Sequence, residues 1–294
     1  MPRGKAELTI SRENACKAIL REIHPAGVRA VAYQLFNRKL LPSMAKSQTN
    51  IVSTMLTRLR EEGVIPWNWI VDGTRELERP SQWGDLESFA HTVERSYRKD
   101  YWDNQPRYIE VWSEKSTVHG TIWPVIRATG VGFRSLHGFN SATKVKEAAE
   151  ASADDDRDWL VFYVGDWDPS GLFMSEEDLP RRLEEYGGCI NFRRIALIEE
   201  DTESSEMEAL SFSPEDKIND TRYAWFKRHY RTQCWELDAL NPNILRTRVE
   251  EAIRADIEEE SWQRMQLAEA AEKESLRHIM RQWRGQFGRG NGQG

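Results

Sequence analysis

The run Trp159–Gly165, WLVFYVG, constrains this chain more than any other stretch. It is short and almost continuously apolar, the pattern of a central parallel strand buried on both faces. Three further runs read as strands: Tyr108–Trp112, Gly132–Leu136 and Ile190–Ile198. Between them the periodicity predicts helices over 117–129, 142–153 and 175–186. Strand and helix alternate across some ninety residues, so the expected fold class is α/β with a mostly parallel sheet.

Open sheets of this kind carry their sites at the C-terminal ends of the strands. Glu114 follows the first strand, and Asp166 and Asp168 follow the third in GDWDPSG. In an extended segment residues i and i+2 face the same way, which puts Asp166 and Asp168 together and Trp167 opposite. Pro169 ends strand pairing, and Gly171 allows a tight turn. Two carboxylates held at one strand end repel unless a cation lies between them. Oxygen ligands of this kind suit Mg²⁺ or Mn²⁺. A DxD pair alone is as compatible with a solvated loop; the Glu after strand one and the Gly after strand two strengthen the cation reading.

Upstream, helical patterns run over 11–23, 28–40 and 50–62, with Pro42 between the last two and Gly63 as a C-terminal stop. Val64–Asp72 reads as a strand or tight wing. Three short helices, a basic third helix and a following strand suggest a winged-helix module over 1–75. The chain is acidic overall, with a net charge of −7, but residues 1–60 hold eleven Lys/Arg against three acids. This local +8 leaves −15 for the rest and either attracts phosphates or coats solvated helix faces. Arg38, Lys39, Lys46 and Arg58, with Arg75 beyond the wing, are the candidate DNA contacts.

Residues 76–107 read as a connector with a helix at 85–98, residues 108–240 as the sheet domain, and residues 241–294 as a helical tail whose GRGNGQG end is expected to be disordered. Leu245, Val249, Ile253 and Ile257 form a stripe that packs either on the chain's own body or on a partner chain. Hydrophobic residues are 39% and charged residues 30%, which suits a globular chain with a core. No apolar run approaches the roughly 20 residues of a membrane helix, and no signal peptide opens the chain. A cytoplasmic protein is expected. Cys16, Cys189 and Cys234 are scattered and suggest inert thiols.

The stretches VWSEK (111–115), SLHGFNSA (135–142) and GDWDPSG (165–171) resemble the Toprim domain, best in the version found in topoisomerase VI A subunits and the related meiotic double-strand-break protein. CWELDAL (234–240) is similar to the E-x-x-A-L element near the end of that domain. The resemblance spans roughly 25–240, and the layout looks like the compact phage- and plasmid-associated relatives called mini-A. The short upstream region leaves no room for the extension that grips the family's ATPase partner. The resemblance implies a Mg²⁺ site of Glu114, Asp166 and Asp168, with Lys115 near phosphate.

It also implies a nucleophilic tyrosine. The family motif is like R-x-x-Y-Y; here Arg29 and Tyr33 are kept and Ala32 replaces the first Tyr. Arg29 and Tyr33 are four apart and share a helix face. By this resemblance the chain is a type IIB topoisomerase-like enzyme that cleaves and rejoins double-stranded DNA through Tyr33, helped by Arg29 and Glu114, as a homodimer, with a possible ATPase subunit in trans. The competing expectations are a Mg²⁺-dependent Toprim nuclease and a non-catalytic dimeric DNA-binding protein. His119 and His137 lie near predicted strand ends but are poor candidates for a metal role. Glu236 and Asp238 either extend the acidic cluster or serve structure. Trp67 and Trp69 alternate on one strand face and offer no stacking platform for bases.

Overall fold

Four parallel-type strands build the sheet: β3 (Arg107–Ser113), β4 (Gly132–Ser135), β5 (Asp158–Val164) and β6 (Ile190–Ala196), in the spatial order β4-β3-β5-β6. The two-residue strands β1 (Ala26–Gly27) and β2 (Ile70–Val71) pair elsewhere, also in parallel. The structure is a computed structural model and describes residues 7–71, 80–136, 142–230 and 232–287. Arg75, His137 and the final GRGNGQG, for which contacts, a ligand role and disorder were expected, lie outside them.

The N-terminal helices are α1 (Glu7–Ile23), α2 (Val28–Asn37) and α3 (Lys46–Glu61). Their apolar stripes form one core: Ile19, Leu20 and Ile23 from α1, Val31 and Leu35 from α2, Val52, Leu56 and Leu59 from α3. Gly63, at φ +69°, ends α3 as the sequence suggests. The Gly63 and Val64 amides donate back to the Arg60 and Leu59 carbonyls at 3.0 and 2.9 Å, the paired bonds of a left-handed helix stop. The expected wing takes another form. Trp67–Trp69 makes a 3₁₀ turn, and β2 then pairs with β1, so no antiparallel hairpin forms among the described residues.

The strands are linked by crossover helices. Between β3 and β4 lies α4 (Ser116–Thr129), and between β4 and β5 lies α5 (Ala142–Ala153). From β5 to β6 the chain passes through α6 (Pro169–Phe173), a π turn at Met174–Asp178 and α7 (Leu179–Glu185). Glu110 to Ser113 of β3 stand opposite Gly132 to Ser135 of β4, and β5 pairs with β6 from Trp159–Ile190 onward. The WLVFYV residues Val161, Phe162, Tyr163 and Val164 are fully buried, as a strand covered on both faces requires. The chain steps from β3 outward to β4 and then back across β3 to β5. The C-terminal ends of β3 and β5 therefore flank the point where strand order reverses, which is where such sheets place ligands.

After β6 the chain makes short turns and returns to the sheet end through two antiparallel bridges, Trp167 with Trp235 and Phe212 with Cys234. It closes with α8 (Pro242–Arg254), whose Leu245, Val249 and Ile253 are buried and which packs against α4. These three stripe residues thus pack on the chain's own body; Ile257 lies beyond the helix and is half-buried. By compactness, residues 1–75 and 108–255 form one unit, and residues 76–107 and 256–294 form a second. This grouping differs from the boundaries read in the sequence: the stretch read as a connector shares a unit with the long tail helix.

In the second unit a helix at Leu86–Ser96, capped reciprocally by Asp85 and Ser88, packs with the Glu259–Phe287 helix. Trp262 lies edge-on to both Tyr101 and Trp102 at 4.7 and 5.5 Å. The Gln105 amide group bonds both the carbonyl and the amide of Glu258. No helix among the described residues is long and apolar enough to cross a membrane.

Candidate functional site

The turn after β5 is tied down by backbone and side-chain bonds from several elements. Gly165 continues the ladder with the Ala196 carbonyl and the Leu197 amide at 2.7 and 2.9 Å. Trp167 exchanges two backbone bonds with Trp235 at 2.8 and 2.9 Å and is 3% exposed. Asp166 and Asp168 flank this buried residue on the opposite face, the alternation that the DxD spacing implies. Asp166 Oδ1 accepts from the Leu237 amide at 2.7 Å. Asp168 caps α6 by accepting from the Gly171 amide at 2.8 Å, with Pro169 in the first helical position. A Cβ on Gly171 would stand 2.4 Å from the Asp166 carbonyl oxygen, so the turn closes only around glycine.

Arg194, on β6, was missed in the sequence. Its guanidinium donates to the carbonyls of Asp166 and Gly171, both at 2.9 Å, to Gly165 at 3.1 Å and to Leu197 at 2.7 Å. It thereby holds the whole DxDPxG backbone. Its signal was an arginine pair inside the strand INFRRIA.

Two lysines stand against the aspartates. Lys115 Nζ lies 2.8 Å from Asp166 and 3.4 Å from Asp238. Lys217 Nζ lies 3.2 Å from Asp168. Burial by itself would lower the Lys115 ammonium; Asp166 and Asp238 outweigh it and hold the proton more tightly than usual. Burial, with Asp166 beside it, raises the Asp168 carboxyl above its ordinary range. Glu114 is raised by burial and then by Asp166 and Asp168, and it makes no hydrogen bond or ion pair among the described residues.

The helix carrying the predicted nucleophile sits on the same unit. Helix α2 packs against the 3₁₀ turn Leu237–Ala239, and the Arg29 guanidinium forks onto both oxygens of Glu236. Arg29 also lies 5.8 Å from the Tyr33 ring centre. Tyr33 is 3% exposed. Burial and then Glu236 push its phenol far above the ordinary tyrosine range, against a smaller opposing pull from Arg29. Arg29, Tyr33, Glu236 and Lys217 line a common cleft of ≈ 450 Å³. Glu236 and Asp238, read in the sequence as structural or as an extension of the acids, serve as the partners of Arg29 and Lys115.

Comparison with family models, with curated proteins and with solved structures finds no match. Function therefore rests on the residues. Among the described residues, no group of three or more His, Cys, Asp or Glu side chains is gathered closely enough to cage a metal ion. The donor set still suits a hard divalent cation. Glu114, Asp166 and Asp168 each offer carboxylate oxygen, burial and then the two aspartates raise the proton affinity of Glu114, and Glu114 makes no hydrogen bond or ion pair among the described residues.

The other predicted contacts scatter. Arg38 pairs loosely with Glu22 at 3.7 Å, Lys39 turns the chain at φ +56°, and Lys46 is exposed at the start of α3. Arg58 is engaged by Glu13 and by Glu62. His119 lies tilted against the rings of Trp123 and Phe133. The three cysteines are free, and burial pushes the Cys16 thiol up to about 12.

Proposed function

We propose that this chain cleaves and rejoins double-stranded DNA as a type IIB topoisomerase-like enzyme, with a winged-helix-like N-terminal module, a Toprim-like sheet domain, and Mg²⁺ or Mn²⁺ held by Glu114, Asp166 and Asp168. The observation that carries the reading is the meeting of two groups at one sheet end. The three acids hang from β3 and β5 at the strand-order reversal, and α2 brings Arg29 and Tyr33 against the following Glu236 turn.

A bound divalent cation supplies charge neutralisation at the phosphate oxygens. The chain's own residues do the rest. The Tyr33 oxygen forms a bond to phosphorus while the bond to the 3′ oxygen breaks. Arg29 holds the phosphate, and the phenol proton leaves to solvent. Glu114, at the end of β3, exchanges a proton with the leaving 3′ oxygen. The product is a 5′-phosphotyrosyl link that reverses without an added energy source. In the free chain Arg29 is spent on Glu236 and Tyr33 is buried, so DNA must draw Arg29 away and bare the phenol. A homodimer, and an ATPase subunit acting in trans, belong to the same reading.

The burial of Tyr33 favours a second reading, a Toprim nuclease in which water replaces the phenol. Incubation with supercoiled DNA and Mg²⁺, then denaturation and protease digestion, separates the two. The first reading expects protein covalently on 5′ ends, lost in both Tyr33→Phe and Asp166→Asn. Cleavage without adduct, surviving Tyr33→Phe and lost in Asp166→Asn, selects the nuclease. DNA binding with no cleavage in any metal leaves only a non-catalytic binder.

A further inference from the structure

Lys217 does not belong to any stretch that resembles the Toprim motifs, yet it faces both halves of the site. It lies at the end of the 3₁₀ turn Pro214–Lys217, and its ammonium group pairs with Asp168 at 3.2 Å. It also lines the cleft that holds Arg29 and Tyr33. The two lysines at the acids are not equivalent. Lys115 is the more enclosed, 28% exposed, and has two partners, so it keeps Asp238 if Asp166 is taken by something else. Lys217 is 42% exposed and has one ion-pair partner among the described residues.

The charges around the site do not balance. Five carboxylates (Glu114, Asp166, Asp168, Glu236, Asp238) face four cations, Arg29, Lys115, Lys217 and Arg194, which leaves −1. Without Lys217 the balance is −2, which one divalent cation offsets. A cation on Asp168 would displace the Lys217 ammonium by like-charge repulsion at the same carboxylate. The freed side chain then points from the acid site into the cleft, whose remaining basic group is Arg29.

We propose that Lys217 is a hand-over residue: it neutralises Asp168 in the metal-free chain and passes to a DNA phosphate in the cleft once a divalent cation takes Asp168. This deepens the reading given above and rests on it. Lys217 is thus a positioning residue that couples metal occupancy to phosphate binding. A merely structural lysine would not move the two affinities in opposite directions.

The test uses the full chain, wild type against Lys217→Gln and Lys217→Arg, each checked for folding by circular dichroism. Mg²⁺ alone is titrated by calorimetry. Separately, anisotropy of a labelled duplex is followed against salt in saturating Mg²⁺. Lys217→Gln is expected to bind Mg²⁺ roughly threefold or more tighter, because a competing cation is gone. The same variant is expected to bind DNA more weakly, with a salt slope shallower by about 0.9, the loss of one phosphate contact. Lys217→Arg is expected to stay near wild type in both. An unchanged or weaker Mg²⁺ affinity in Lys217→Gln, or an unchanged slope, overturns the hand-over and leaves the DNA reading standing. A wild-type chain that binds no duplex overturns the DNA reading and the hand-over together.

Discussion

Glu114 is a residue whose charge the fold tolerates poorly. Burial and the two aspartates raise its carboxyl above the ordinary range. A carboxyl raised in the folded state gives full stability below its unfolded pKa of about 4.3 and loses it as pH rises through the higher folded value. At neutral pH the ionised Glu114 is therefore a stability cost. Glu114→Gln is expected to raise Tm at pH 7, by about 2–4 °C for each kcal/mol relieved, with the gain fading below pH 4. The variant should also lose the stabilisation that Mg²⁺ gives wild type. Thermal melts at pH 3.5 and 7, with and without Mg²⁺, check both; a Tm that falls at pH 7 contradicts the assignment. Glu236 offers a second check at this scale. Glu236→Gln removes the charge that fixes Arg29 and that helps raise Tyr33. The Tyr33 phenol should then titrate at lower pH, read as the absorbance of tyrosinate in the difference between variant and wild type.

At the scale of elements, the DxDPxG turn between β5 and α6 depends on two contacts of different kinds. Gly171→Ala would drive a Cβ into the Asp166 carbonyl, a backbone atom that cannot swing aside. A loss of about 2–4 kcal/mol is expected in urea melts. Arg194→Met would leave the carbonyls of Gly165, Asp166, Gly171 and Leu197 without their shared donor. Each bond to a charged donor contributes roughly 1.5–3 kcal/mol, so about 3 kcal/mol or more should go, less if water enters.

These same elements show what the sequence could reveal. The buried run 159–164, the three crossover helices and the acids at strand ends were readable because periodicity and strand-end position are local properties. The stretch 64–71 was ambiguous because a short apolar run does not say which backbone it will pair with, and β2 found β1 rather than a hairpin partner. Lys217 and Arg194 were silent because their meaning lies in contacts 49 and 28 residues away in sequence, at Asp168 and Asp166. Tyr33 was readable as a helix position, but not its burial, which depends on the Glu236 turn that arrives some two hundred residues later.

At the scale of the whole molecule, two compact units share one chain that passes from the first to the second and back, then out again. The second unit has its own aromatic centre at Trp262. Trp262→Ala should cost about 3–5 kcal/mol there and strip amide protection from the Leu86–Ser96 helix while β5 and β6 keep theirs. Hydrogen exchange reads the two separately. For the first unit, the central claim is that Glu114, Asp166 and Asp168 together hold one hard divalent cation at the sheet's switch point. The direct measurement is Mn²⁺ titration followed by paramagnetic resonance, on wild type, Glu114→Gln and Asp166→Asn. One bound Mn²⁺ per chain in wild type, displaced by excess Mg²⁺ and weakened at least tenfold in each variant, is the predicted result. Mn²⁺ binding that is absent in wild type, or unchanged in both variants, would contradict it.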